Sequence, residues 1–136
     1  MRIIRRIYFV ALALIGMAGA AIANDEPLWM RYPSISPNGK EIAFAYKGDI
    51  YKVSTTGGVA TRLTTHEAYD TTPMWSPDGS KIAFVSDRYY GSRDIYVMNA
   101  NGGAAKRVTT HSTSESILAF SPDGKYIYYT AHIQDP

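Results

Sequence analysis

The sequence predicts an all-β protein made of repeated four-stranded antiparallel units. Three observations carry that prediction. The first is internal repetition. Asp49-Ile50-Tyr51, Gly57-Gly58, Leu63-Thr64-Thr65-His66 and Ser76-Pro77-Asp78-Gly79 return 45 residues later as Asp94-Ile95-Tyr96, Gly102-Gly103, Val108-Thr109-Thr110-His111 and Ser121-Pro122-Asp123-Gly124, and 14 of the 31 positions from 49 to 79 are identical without a gap. An earlier copy, Ser36-Pro37-Asn38-Gly39, lies 40 residues before Ser76. The second is an aromatic composition rich in Tyr, with 11 Tyr, 4 Phe and 2 Trp, which favours strands. The third is that no helical period follows Ala23, whereas alternation with a period of two recurs. A unit of 40–45 residues is the size of one propeller blade.

The chain begins with a different kind of segment. Met1 to Arg6 carries three arginines, Ile7 to Ala23 is uncharged and apolar, and Ala21-Ile22-Ala23 precedes the polar Asn24-Asp25-Glu26. That order predicts a signal peptide over 1–23 that is removed on export, so the expected location is the bacterial periplasm or the medium. Without Arg2, Arg5 and Arg6 the formal charge of +2 becomes 11 basic against 12 acidic residues, with signs mixed. No basic stripe is left, which excludes a nucleic-acid role, and after cleavage no membrane partner is expected. The absence of Cys excludes disulfides, thiolate metal sites and a cysteine nucleophile.

Residues 24–32 are a lead-in, and residues 33–136 divide into blades at about 33–65, 73–110 and 118–136. In the second blade, Met74-Trp75-Ser76 is the first strand, entered from Pro73. Pro77-Asp78-Gly79 is a tight turn in which Pro fixes φ and Gly takes a positive one. Lys81 to Val85 is the second strand, with counterparts Glu41 to Ala45 and Tyr126 to Thr130. Ile42, Ile82 and Ile127 share one face with Phe44, Phe84 and Tyr129, and the small Ala43 and Ala83 on the other face would let a neighbouring blade approach. Asp94 to Met98 is the third strand, Asn101-Gly102-Gly103 a hairpin turn, and Lys106 to Thr109 a charged outer fourth strand. The third blade holds two strands, so the repeat count is two and a half where closed rings use 4–8. This predicts an incomplete propeller belonging to a longer protein.

Trp75-Ser76-Pro77-Asp78-Gly79, followed by Ile82-Ala83-Phe84, Asp87-Arg88, Asp94-Ile95-Tyr96, Gly102-Gly103 and Arg107-Val108-Thr109, resembles the TolB-type propeller repeat. The Gly-His and Trp-Asp pairs of WD repeats are missing. Leu28-Trp29-Met30-Arg31-Tyr32-Pro33, Tyr46-Lys47-Gly48-Asp49-Ile50-Tyr51 and Gln134-Asp135-Pro136 most resemble the amino-terminal propeller of bacterial tricorn-type serine peptidases. That resemblance implies a six-bladed propeller, with a second propeller, a PDZ-like module and a peptidase domain further along an oligomeric or monomeric parent. The propeller would bind or admit peptide and protein substrates, or contact the parent's downstream domains, and would carry no catalytic residue. A periplasmic TolB-like protein-interaction propeller is the alternative, weakened by the short stretch between signal and first blade. A propeller of a prolyl-oligopeptidase-type enzyme is a second alternative. Several copies closing one ring is a third, and the half blade argues against it.

The residues themselves offer few chemical candidates. His66 and His111 recur at one repeat position, and so do Ser36, Ser76 and Ser121, as loop and turn residues do. No catalytic residue, cofactor site or metal site is expected, because the three His lack ligand spacing and the Asp residues lie in turns or flank a loop. The segment Asp87 to Arg93, longer than its counterpart Lys47-Gly48, is the one candidate binding element. Its Arg88, Tyr89, Tyr90 and Arg93 could stack on a ligand and clamp a peptide carboxylate.

Overall fold

The computed structural model describes residues 29–89, 91–111 and 113–131. The expected signal peptide, Tyr90, His132 and the closing Gln134-Asp135-Pro136 lie outside the described residues. Ten strands and no helix are found among the described residues: β1 (Arg31–Ile35), β2 (Glu41–Tyr46), β3 (Asp49–Ser54), β4 (Thr61–Arg62), β5 (Asp70–Trp75), β6 (Lys81–Tyr89), β7 (Ser92–Asn99), β8 (Lys106–Arg107), β9 (Glu115–Phe120) and β10 (Ile127–Ala131). They form two four-stranded sheets, β1-β2-β3-β4 and β5-β6-β7-β8, and a two-stranded one, β9-β10. Every neighbouring pair is antiparallel. Spatial order therefore equals chain order, as short turns between successive strands require.

The Ser-Pro-Asp/Asn-Gly turn is built identically three times. The Ser76 hydroxyl donates to Asp78 Oδ1 at 2.6 Å and accepts the Lys81 N–H at 2.9 Å, while Gly79 N–H donates to the Ser76 carbonyl at 2.9 Å. Ser36 with Asn38 and Glu41, and Ser121 with Asp123 and Tyr126, repeat these bonds. The Ser76 hydroxyl, followed by the backbone N–H of Ser80, holds the Asp78 carboxyl down at about 2. Gly79 has φ of 71°, which only glycine adopts without strain, and a Cβ there would lie 3.6 Å from Pro37 of the preceding turn. Gly124 sits on Pro77 in the same way, so the turns nest along one end of the stack.

Because Ser76 is buried, its hydroxyl cannot be replaced by water. Ser76→Ala is expected to cost about 1–3 kcal/mol by leaving the Lys81 N–H unpaired. The same change releases Asp78 toward the ordinary carboxylate range. A depressed carboxyl stabilises above its unfolded value and loses that contribution as pH falls through about 2. The variant should therefore lack most of this contribution at neutral pH, and its stability gap to the parent should narrow as pH falls from the ordinary carboxylate range toward about 2, which urea unfolding at a series of pH values measures.

The first strands begin earlier than the prolines suggest. Thr72, just before Pro73, has φ of 51°, and Tyr32, just before Pro33, has 54°. Each lies in a register shift of the innermost strand, between Thr71 and Met74 and between Arg31 and Ser34. Proline cannot donate to the ladder, and the bulge is where a strand tolerates it. The chain thus enters the sheet at Asp70 and kinks at Pro73. At the other boundary, β4 and β8 are only two residues long, because the chain turns toward the next sheet after Arg62 and Arg107.

Sheet packing follows the small-against-large pattern. Ala43, Ala45, Ile50 and Leu63 of the first sheet pack on Trp75, Ile82, Phe84, Tyr96 and Met98 of the second. Ala83, Val85 and Ile95, at the registers of Ala43, Ala45 and Ile50, pack in turn with Ile117, Phe120 and Ile127 of the third. The Trp75 indole N–H crosses the first seam to the Ser34 carbonyl at 3.0 Å. One face of each sheet is kept small so that the backbone can approach the bulky face of the next.

Candidate functional site

The antiparallel path places the Pro77–Gly79 and Asn101–Gly103 turns at one end of the second sheet. The starts of β5 and β7 and the ends of β6 and β8 come together at the other. Charge concentrates at this second end. Asp94 is fully buried and pairs with Arg107 at 2.8 Å, repeating Asp49 with Arg62 at 2.7 Å. Beside each pair a threonine hydroxyl receives the backbone N–H that follows the aspartate, Ile50 on Thr64 and Ile95 on Thr109, both at 2.9 Å. These bonds account for the repeated Asp-Ile-Tyr and Thr-Thr-His motifs, since an Asp at one strand's start and an Arg and a Thr at the next strand's end form one latch. Arg107 is held in its charged form chiefly by the hydrogen bond to Asp94.

A second ion pair lies across from the first. Fully buried Asp70 receives the Ser86 hydroxyl at 2.6 Å and the Arg88 guanidinium at 2.7 Å. That guanidinium lies 5.2 Å from the Phe84 ring centre and 5.1 Å from that of Tyr96. Burial, more than any neighbouring charge, pushes the Tyr96 phenol up. Four alternating charges thus surround one buried tyrosine on the face turned toward the first sheet.

Of the four residues expected to form a ligand clamp, the three described ones, Arg88, Tyr89 and Arg93, have different surroundings. The segment is mostly strand, since β6 runs to Tyr89 and β7 starts at Ser92. Strand alternation then sends neighbouring side chains to opposite faces. Arg88 turns inward and is committed to Asp70. Tyr89 is exposed, with the Arg107 guanidinium 4.1 Å from its ring centre. Arg93 is exposed on β7, and Tyr90 lies outside the described residues. Asp87 caps the adjacent link by accepting the Tyr69 N–H at 2.7 Å.

Two hollows open beside these groups. One of about 280 Å³ is bounded by Lys47, Asp49, Arg62, His66, Glu67 and Tyr69. Another of about 490 Å³ runs along Leu63, Thr64, Thr65, His66, Arg88 and Ala105. His66 belongs to both, and its Nδ1 accepts the Ala68 N–H at 3.0 Å, which leaves the Nε2 edge toward solvent. Exposed Tyr69 and Lys47 supply an aromatic ring and a cation to the smaller hollow and Arg88 borders the larger one, while Tyr89 and Arg93 are exposed outside both. Such a surface can hold an extended peptide by stacking and by pairing its acidic groups. Among the described residues no three His, Asp or Glu side chains gather to hold a metal ion. Sequence reasoning passed over Asp70 and Glu115, although both are acidic and 45 residues apart, a signal the repeat alignment already contained.

Sheets of four antiparallel strands in meander order, stacked small face to large face, define a β-propeller. The chain belongs to the tricorn protease N-terminal beta propeller domain family, which it matches over residues 27–136. It is 39% identical over 67 residues to the protein TolB homolog of Chlorobium chlorochromatii (strain CaD3), a stretch covering 46% of this chain and 14% of that protein. The structure of putative TolB from Agrobacterium tumefaciens superposes with a TM-score of 0.68 at 27% identity, covering 74% of this chain and 37% of that one. The crystal structure of the tricorn protease superposes with a TM-score of 0.59 at 26% identity, covering 70% of this chain and 10% of that one. The chain thus spans well under half the length of each of these relatives.

Proposed function

We propose that this chain acts as the amino-terminal propeller of an exported, periplasmic or secreted, tricorn-like serine peptidase, admitting or binding peptide substrates and performing no catalysis itself. The observation that carries this reading is the family match over 27–136. The surface between the first and second sheets supports it, because Tyr69, Lys47 and Arg88 offer stacking surface and positive charge at two hollows. A periplasmic TolB-like protein-interaction role is the second reading, favoured by the 39% identity to a TolB homolog.

Fluorescence polarisation with labelled six-residue peptides, run with free and amidated carboxyl ends, tests the proposal. Binding should favour the free carboxylate, weaken at least five-fold in Lys47→Ala, and leave every peptide intact by mass spectrometry. Equal or absent binding of both peptide sets would remove the peptide role. Capture of a folded periplasmic protein by the same chain would then move the assignment to the second reading.

A further inference from the structure

We infer that Glu115 is an acceptor site for a cationic side chain, a guanidinium or an ammonium group, at the seam between the second and third sheets. Glu115 opens β9 and is 2% exposed. The Thr109 hydroxyl, already receiving the Ile95 N–H, donates to its Oε2. Its Oε1 is buried without a hydrogen-bond partner, as is Thr113 Oγ1 two residues earlier. Among the described residues no cation pairs with it.

The repeat identifies what this position takes. Asp70 stands 45 residues earlier, opens β5, and is satisfied by the Ser86 hydroxyl at 2.6 Å and the Arg88 guanidinium at 2.7 Å. The residues 45 beyond Ser86 and Arg88 are Ala131 and Ile133, whose side chains have no donor. His132 stands at the register of Asp87, which reaches the Tyr69 N–H and not Asp70. The third unit therefore keeps the buried acid and lacks both donors. A buried carboxylate without a counter-charge is strongly disfavoured, so the missing cation comes from elsewhere. The longer Glu, in place of Asp, also lets the carboxylate reach a donor set further away. Two sources share this chemistry: a Lys or Arg from another stretch of the polypeptide, and a basic side chain of a bound peptide. The inference does not depend on the peptidase reading.

The test uses the full chain, its Glu115→Gln variant, which keeps an oxygen for Thr109 but removes the charge, and Glu67→Gln as an exposed control. Each is titrated calorimetrically with acetyl-Gly-Arg-Gly-amide and with its uncharged citrulline counterpart, and unfolded in urea. A peptide source predicts at least ten-fold tighter binding of the arginine peptide, lost in E115Q and kept in E67Q. A source within the polypeptide predicts no peptide binding and at least a ten-fold fall in the folding equilibrium constant of E115Q alone. The inference is overturned if E115Q is as stable as the parent, or more stable, and any peptide binding is unaffected by the substitution.

Discussion

Phe84→Ala is expected to destabilise the fold by about 3–5 kcal/mol, a large part of what a domain of this size has in total. Phe84 is fully buried, stacks on Tyr96 with ring centres 5.9 Å apart, and shares with it the Arg88 guanidinium, which lies 5.2 Å from the Phe84 ring centre. It faces Ala43, Ala45 and Leu63, whose small or branched side chains cannot swing in to fill the space. The cost is thus lost transfer energy plus a cavity that does not collapse. Urea unfolding followed through Trp75 fluorescence measures it, as a fall in midpoint at constant slope. Phe44, at the matching position of the first sheet, stacks on Tyr51 at 5.9 Å but lies outside the inter-sheet cluster. Phe44→Ala should cost less than half as much. Equal costs would mean that the seam between the sheets contributes little.

Arg88→Ala should be nearly as damaging, at about 3–5 kcal/mol, because it leaves Asp70 buried with only the Ser86 hydroxyl. The guanidinium is also packed against both the Phe84 and Tyr96 rings, so its loss removes apolar contact as well as charge. Arg88→Lys restores a charge without the planar fork and should recover a minority of the loss. Asp70→Asn combined with Arg88→Met should recover most of it, since neither change then strands a charge. Denaturation of the three variants at neutral pH, beside the parent, decides between this account and a surface role. An exposed ligand clamp would tolerate Arg88→Ala within about 0.5 kcal/mol.

The contrast at Arg88 shows where reading residues in order stops being sufficient. An Asp-Arg-Tyr-Tyr-Gly-Ser-Arg stretch has the composition of a binding loop, and nothing local reveals that five of its residues extend two strands. Their strand state depends on pairing between β6 and β7, which continues to Tyr89 with Ser92 after a register shift. The inward turn of Arg88 depends on Asp70, 18 residues away and on a different strand. Likewise Pro73 looks like a boundary until the bulge at Thr72 places it inside a strand.

The amino-acid sequence by itself determined the repeat length, the meander of antiparallel strands, the Ser-Pro-Asp-Gly turns and the pairing of a small face with a bulky one. These follow from interactions between residues a few positions apart and from a period of two, so they are written locally and repeated. Only the tertiary structure decided which charges are latches and which remain open: Asp70 with Arg88, Asp94 with Arg107, and Glu115 with an oxygen left over. Charge partners are selected by proximity across sheets and by exclusion of water, and neither quantity is carried by the order of residues along one strand.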